Sequence, residues 1–326
     1  MGVSVITRTK DRPLLLPRVV DSLLRQTVRD FEWIIVNDGG DRACVDETRA
    51  VAEKAGLRAR AIHHDLCLGM EAASNTGIAQ AREPCILIHD DDSLEPQFME
   101  ETLHFLDHNP HYIGVVTHSY KVVETIEEGG INQLSRHVLN PRLESVDLPL
   151  LAMRNQFPPI SFVFSREACD RVGGFDATLP VLGDWDFNLR MLLHGDIGLL
   201  PRPLANHHHR YDIAEGDEAY GNTVTAGRQR HLEWESRYRH AKLRQDIQTG
   251  KPGLGYILAQ GKQAEMLDRE LEHLRVAGDG WTALMTLSQK RGIHRLLRRT
   301  PGKSSSAPAA SGSLARLLRP VLAARG

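Results

Sequence analysis

Cysteine is scarce in this sequence: Cys44, Cys67, Cys85 and Cys169 stand far apart, with no C-x-x-C pair. That spacing excludes a disulfide framework and suits reduced, structural thiols. No apolar run approaches the ~18–20 residues that span a bilayer. A G-x-x-x-x-G-K-[ST] loop and a G-x-S-x-G elbow are both missing, so Walker-type phosphate binding and α/β-hydrolase chemistry lose their main support. Gly253-Leu254-Gly255…Gly261 has neither the spacing nor the preceding strand of a dinucleotide loop. Strand-like sequence begins at Val3, leaving no room for a signal peptide, and Ile6 stands where a myristoylation signal has Ser or Thr. The expectation is a cytoplasmic protein.

What is present reads as an ordinary globular chain. Of 326 residues, 41% are hydrophobic and 25% charged, enough for one large domain with an appendage, or for two domains. This composition excludes chain-wide disorder, a collagen-like chain and a coiled coil. The net charge of −2 hides an asymmetry. Residues 291–326 hold eight Lys/Arg and no acid, leaving 32 basic against 42 acidic side chains in the rest. An acidic body argues against nucleic acid as a partner.

Apolar runs alternate with helical spacing through the first half. Strands are predicted at Val3–Ile6, Trp33–Val36, Ala59–His63, Cys85–Ile88 and Ile113–Thr117. Helices are predicted at Leu14–Arg25, Glu47–Ala55, Glu71–Ala81 and Gln97–Leu106. Such alternation means stacked βαβ units around a mainly parallel sheet, with ligands outside the carboxyl ends of the strands. Polar clusters fall at those ends: Thr7-Arg8-Thr9, Asn37-Asp38 and Asp90-Asp91-Asp92. Past Gly130 the order is less clear, with a strand at Ile160–Phe164, a helix at Phe187–Leu193 and charged helical sequence from Thr225 to Lys251 and over Ala264–Val276.

Three groups could carry chemistry. Three adjacent carboxylates after a strand suit Mg²⁺ or Mn²⁺ holding phosphates, or else form a solvated turn. Asp184-Trp185-Asp186 opens a helix, where acids also serve as caps. His207-His208-His209 cannot all face one ion on a regular strand, so at most two would be ligands; a solvated cluster is the alternative.

V-S-V-I-T-R-T-K-D-R-P (3–13), S-L-L-R-Q-T (22–27), W-I-I-V-N-D-G-G-D (33–41), I-L-I-H-D-D-D-S-L-E-P (86–96), V-G-G-F-D (172–176) and G-D-W-D-F-N-L-R (183–190) follow one another in this order. Together they resemble family 2 glycosyltransferases of the bacterial polysaccharide type, over residues 1–210. The resemblance implies an α/β GT-A fold, a Rossmann-like nucleotide-diphospho-sugar transferase with a helical C-terminal extension. It implies a donor-nucleotide site at Thr7, Arg8, Thr9, Asp38, His89 and Asp90, with Asp38 accepting from the base. It puts a divalent cation, Mn²⁺ or Mg²⁺, on Asp91 and on one of the histidines, His208 being the choice. Asp184 becomes the general base, and Gly173, Gly174, Trp185 and Asp186 the acceptor side. Two positions depart from the pattern: His89 replaces the first Asp of the D-x-D segment, and Gly183 replaces the Glu of the E-D pair. Ala73-Ser74-Asn75 also lacks the basic residue common before the N-x-G.

The implied reaction moves a sugar from a nucleotide-diphosphate sugar to the hydroxyl of a saccharide or lipid-linked saccharide, with inversion, in surface polysaccharide synthesis. A nucleotidyltransferase or metal-dependent phosphohydrolase would also want strand-end carboxylates, and a catalytically inactive sugar-nucleotide-binding protein would explain His89 and Gly183. The expected division is a catalytic domain over 1–210, a helical extension over 211–300, a flexible linker over 301–313 and a basic tail over 314–326. Leu314, Leu317, Leu318, Val321 and Leu322 form an apolar stripe beside Arg316, Arg319 and Arg325, interrupted by Pro320. That pattern suits peripheral contact with anionic lipid at the inner face of the cytoplasmic membrane, or a disordered basic end.

Overall fold

The structure, a computed structural model, describes residues 1–127, 130–210, 220–221 and 228–290. Four parallel strands form its first half: β1 (Val3–Thr9), β2 (Phe31–Asp38), β3 (Arg58–His64) and β4 (Cys85–His89), in the order β3-β2-β1-β4. Between them run α1 (Leu16–Leu24), α2 (Arg42–Lys54) and α3 (Met70–Gln80). β1 and β2 are buried along their whole length, as expected for strands covered on both faces. Ile34 and Val36 of β2 join one core cluster, while Trp33 and Ile35 join the other. Strand alternation thus feeds a core on each side of the sheet.

The second half departs from the parallel expectation. It comprises β5 (Ser93–Leu94), α4 (Phe98–His108), β6 (Gly114–Glu127), β7 (Gly130–Val138), α5 (Leu148–Met153), β8 (Phe162–Ser165), α6 (Arg166–Val172), α7 (Gly183–Leu192) and β9 (Ile197–Arg210). The full path is β3-β2-β1-β4-β8-β6-β9-β5, with β7 beside β6. β8 runs antiparallel to both β4 and β6, β9 parallel to β6, and β5 antiparallel to β9. β6 continues ten residues past Thr117 through polar sequence, because β7 and β9 pair its backbone on both edges. Backbone pairing outweighs the weak apolar signal there. The β5–β9 register, Ser93 opposite Asn206, brings Asp90–Asp92 beside His207–His209.

Two further helices follow, α8 (Arg228–Thr249) and α9 (Leu254–Lys290). The first compact unit runs Met1–Asp268, past residue 210 where the sequence suggests a boundary. α8 is tied in by Tyr238, whose hydroxyl donates to Asp186 at 2.7 Å, and by Arg239, which donates to the carbonyls of Ala152, Met153 and Leu258. Of the second unit, Arg269–Gly326, the described part is the end of α9. The linker and basic tail lie outside the described residues. No described helix is long and apolar enough to cross a membrane.

Candidate active site

The carboxyl ends of β1, β2 and β4 open onto two cavities of about 1170 and about 800 Å³. Thr9, Lys10, Asp38 and Gly69 line the larger, while Asn155, Asp184, Trp185 and His207 line the smaller. Arg8, Arg12, Glu71 and Asp90 line both and form the wall between them.

Asp38 ends β2 under the loop that leads into α3. Its carboxylate accepts from the backbone N–H groups of Leu68 and Gly69 at 2.8 and 2.9 Å, from His64 Nδ1 at 2.8 Å and from the Cys67 thiol. Burial alone would raise this carboxyl, but those donors hold it below its ordinary value. Asp38 therefore holds the shape of the nucleotide-side loop, and its oxygens are already engaged there. Arg8, buried, donates from Nε to Asp90 at 2.7 Å and from Nη1 to Ser74 at 3.1 Å, and a third bond makes the Asp90 pair bidentate. Ser74 stands where the resemblance lacks a basic residue, and Arg8 supplies a cation beside it.

Each member of the acidic run has a partner. Asp91 pairs with Arg12 at 3.1 Å and with the buried guanidinium of Arg210. Asp92 accepts from His207 Nδ1 at 3.1 Å and from the His208 N–H at 2.8 Å. Burial would raise the Asp92 carboxyl, but the two histidines hold it well below the usual range. Among the described residues no three His, Cys, Asp or Glu side chains converge on an ion position. The donor chemistry at Asp91 fits a cation that arrives with a diphosphate. Its hard oxygens face the cavity, and the guanidiniums on them are groups that a diphosphate would attract.

Strand parity places the three histidines on two faces. His207 and His209 point to the cavity, while His208 points to the opposite face. There His208 Nδ1 donates to Glu124 at 2.8 Å, and its Nε2 lies 3.0 Å from Ser93 Oγ. His208 is thus tied into the packing between β6 and β5, and the cavity-facing candidates are its two neighbours. Burial would lower His207, but Asp92 overrides it and raises the imidazole. Burial and the neighbouring His207 and Lys121 push His209 down to about 3.

Asp184 faces these groups from the second residue of α7. The helix starts from Leu182, held in the left-handed region at φ 69°, a conformation costly for a branched side chain. That turn aims Asp184 into the cavity. Asn155 Nδ2 donates to its Oδ2 at 2.7 Å, and the Trp185 N–H donates to Oδ1 at 2.8 Å. Asn188 donates to Asn155 in turn, at 3.3 Å. Burial raises the Asp184 carboxyl above its ordinary value, although the Trp185 N–H and Arg8 pull the other way.

Other expected site residues do different work. Thr7 is fully buried and accepts from Trp33 Nε1 at 2.8 Å, away from either cavity. His89 is also buried off the cavities; its Nδ1 donates to the Asp90 carbonyl at 2.8 Å, and its Nε2 has no partner among the described residues. Gly173 caps α6 in the left-handed conformation, φ 82°. Gly174 lets Asn75 approach, and Asn75 makes two 2.8 Å bonds to the backbone of Phe175. Asp186 is buried between Arg190 and Tyr238, each 2.7 Å away. Of the expected acceptor-side set, Trp185 alone lines a cavity, its Nε1 donating to the Leu151 carbonyl. Arg12, Glu71 and Asn155, with His231, Glu235 and Arg239 of α8, also line the cavities and are not singled out by the sequence. The Gly at position 183 was the one available pointer to Glu71.

Residues 4–165 match the family model described as Glycosyl transferase family 2. The PGL/p-HBAD biosynthesis glycosyltransferase of Mycobacterium bovis (strain BCG / Pasteur 1173P2) is 30% identical over 193 residues, covering 57% of this chain and 68% of that protein. An uncharacterized glycosyltransferase of Haemophilus influenzae is 27% identical over 191 residues, 58% of this chain. This chain spans only 62% of that relative's length. Among solved structures, S. aureus TarS 1-349 in complex with UDP-GlcNAc matches with a TM-score of 0.53 at 16% identity, over 68% of this chain and 62% of that 1-349 chain. Mannosyltransferase PcManGT from Pyrobaculum calidifontis, in complex with GDP-Man and Mn²⁺, matches with a TM-score of 0.52 at 16% identity, over 89% and 79% of the two chains. A shared GT-A fold, a family match through all the nucleotide-side strands and a relative alike over two thirds of its own length together make this chain a member of glycosyl transferase family 2.

Proposed function

We propose that this chain transfers a sugar from a nucleotide-diphosphate sugar to an acceptor hydroxyl, with inversion at the anomeric carbon. The observation that carries this reading is the placement of Asp184. It is a buried carboxylate, raised above its ordinary value and oriented by Asn155, across the cavity from the cation-lined strand ends. Asp184 takes the proton from the acceptor hydroxyl as that oxygen attacks, a contribution of typically ~10²–10⁴-fold. Asn155 and the Trp185 N–H hold the carboxylate in one orientation for that transfer. Arg8 and Arg12, on the shared wall, bind and orient the diphosphate. Asp91 would hold Mn²⁺ or Mg²⁺ together with the diphosphate oxygens. Such a cation, when bound, supplies Lewis-acid neutralisation of the leaving-group charge. UDP-GlcNAc on TarS and GDP-Man with Mn²⁺ on PcManGT support a nucleotide-sugar donor and a divalent ion.

The acceptor is a saccharide or lipid-linked saccharide of surface polysaccharide synthesis, and the site of action the cytoplasmic face of the membrane. The relative named for PGL/p-HBAD biosynthesis supports a biosynthetic glycosyl transfer. The test is thermal unfolding of the full chain against a panel of sugar nucleotides with Mn²⁺, followed by assay of the released product. A donor at 100 times its Kd stabilises by about 2.7 kcal/mol. Stabilisation by at least one sugar nucleotide and release of nucleoside diphosphate are expected. Release of pyrophosphate or inorganic phosphate instead would overturn the reading in favour of nucleotidyl transfer or phosphohydrolysis.

A further inference from the structure

Glu71 lies in the first turn of α3, and its carboxylate reaches across to the start of α7. It occupies the space that a side chain at position 183 would take. A β-carbon on Gly183 would stand 2.2 Å from Glu71 Oε1 and 2.4 Å from its Cγ, closer than non-bonded atoms come. Gly183 is therefore the seat of the Glu71 carboxylate.

Glu71 is 6% exposed. Among the described residues it accepts a bond from its own backbone N–H and from no side chain. Arg8, the cation that attracts it, donates to Asp90 and Ser74 and makes no hydrogen bond to Glu71 among the described residues. Asp184 and Asp90 repel it. A buried carboxylate without side-chain donors is costly unless a ligand supplies them. Glu71 lines both cavities, on the wall where they meet. On the glycosyl-transfer reading the sugar lies between the diphosphate held at Arg8, Arg12 and Asp91 and the acceptor oxygen beside Asp184, and Glu71 lines the cavity that all of these share.

We infer that Glu71 accepts a hydrogen bond from a hydroxyl of the transferred sugar and so selects the donor by its sugar. This rests on the glycosyl-transfer reading and goes beyond it by naming the residue that recognises the sugar. The class of ligand is a pyranose with a free hydroxyl facing α3. Its epimer at that carbon turns the hydroxyl away and leaves the carboxylate buried and unpaired. The base role stays with Asp184, the carboxylate that Asn155 and the Trp185 N–H orient.

The experiment uses the full chain with Mn²⁺ and paired probes: UDP with UDP-GlcNAc and its 4-epimer UDP-GalNAc, and GDP with GDP-mannose and its 2-epimer GDP-glucose. Affinities come from calorimetry and turnover from nucleotide release. In the wild type a sugar nucleotide binds and the epimers are distinguished. Glu71→Gln keeps an acceptor oxygen but removes its charge, and is expected to lower kcat/KM for the preferred sugar nucleotide about 10-fold, the difference between a hydrogen bond to a charged and to a neutral acceptor. It should narrow the epimer preference and leave the Kd for bare UDP or GDP unchanged. Gly183→Ala keeps the carboxylate but crowds it from its seat, and should give the same pattern. Unchanged bare-nucleotide binding shows in both variants that the fold is intact. Wild-type kcat/KM and epimer preference in both variants would overturn the inference, as would equal loss of bare-nucleotide and sugar-nucleotide binding. Failure of the wild type itself to bind any sugar nucleotide would instead remove the glycosyl-transfer reading, and this inference with it.

Discussion

Arg210, at the end of β9, donates to the carboxylate of Asp91, 119 positions earlier, and both side chains are buried. With its other nitrogen Arg210 donates to Glu124, which also pairs with Arg18 at 2.8 Å. One buried guanidinium thus joins the acidic run at the cavity to the interior of β6. Asp91 is charge-balanced before any ligand arrives, and that sets how a metal can bind.

Mn²⁺ alone is therefore expected to bind below the detection of calorimetry, and to bind measurably when the donor or its nucleoside diphosphate is present. Asp91→Asn should remove the metal dependence of donor binding. Tight Mn²⁺ binding to the ligand-free chain, or EDTA-insensitive donor binding by the wild type, would contradict this.

Asp184→Asn should leave donor affinity near wild type and cut kcat by at least ~10²-fold, because a base acts in the transition state. The base works deprotonated, so activity falls as pH drops through its pKa. Burial raises that pKa from 3.8, and the acidic limb of the rate profile should lie above the ordinary carboxylate value. Asn155→Ala removes a donor to the charged form and should move the limb further up. An unmoved limb would take Asn155 out of this role.

Much of the first half is legible in the sequence, because β1, β2 and β4 are largely apolar, with Ser4 and Glu32 the interruptions, and each stops at polar residues, as buried parallel strands do. Which of the three histidines face the cavity is not legible in the sequence, because parity along β9 depends on pairings such as Ser93 with Asn206, a contact between segments over 100 residues apart. Asp186 looks like an active-site acid beside Trp185 until Tyr238, 52 positions on, supplies its partner. Glu71 reads as an ordinary first-turn helix acid, since its environment comes from Gly183 and Arg8 on two other elements.

Glu124 offers a stability test. Burial would raise its carboxyl, but His208 and Arg18 hold it down at about 2 instead of 4.5. A depressed folded-state pKa contributes stability that is present above about pH 4.5 and lost as pH falls towards 2. Glu124→Gln should lower stability at neutral pH by about 3 kcal/mol, as breaking a buried ion pair does. It should also flatten the fall in Tm between pH 5 and 3 (roughly the window in which the wild-type group loses its advantage). Parallel Tm–pH curves for the two proteins would refute this.

The tail gives the last test. Three arginines near an anionic surface contribute roughly 1 kcal/mol each, so the full chain should sediment weakly with anionic vesicles at low salt and be released by salt. Reversing Arg316, Arg319 and Arg325 to Glu should abolish the sedimentation. Equal partitioning of the two proteins would exclude a membrane role for this segment.

α8 meets the smaller cavity through His231, Glu235 and Arg239, and it is fastened to the body by Tyr238 and Arg239 without joining the sheet. Changes at His231 and Glu235 would alter the lining of the smaller cavity while every strand, and the charged residues at the strand ends, stay as they are. The family match stops at residue 165, before both α7 and α8. Relatives that keep the strand-end residues but differ along this helix are therefore expected to present different walls to whatever enters the smaller cavity.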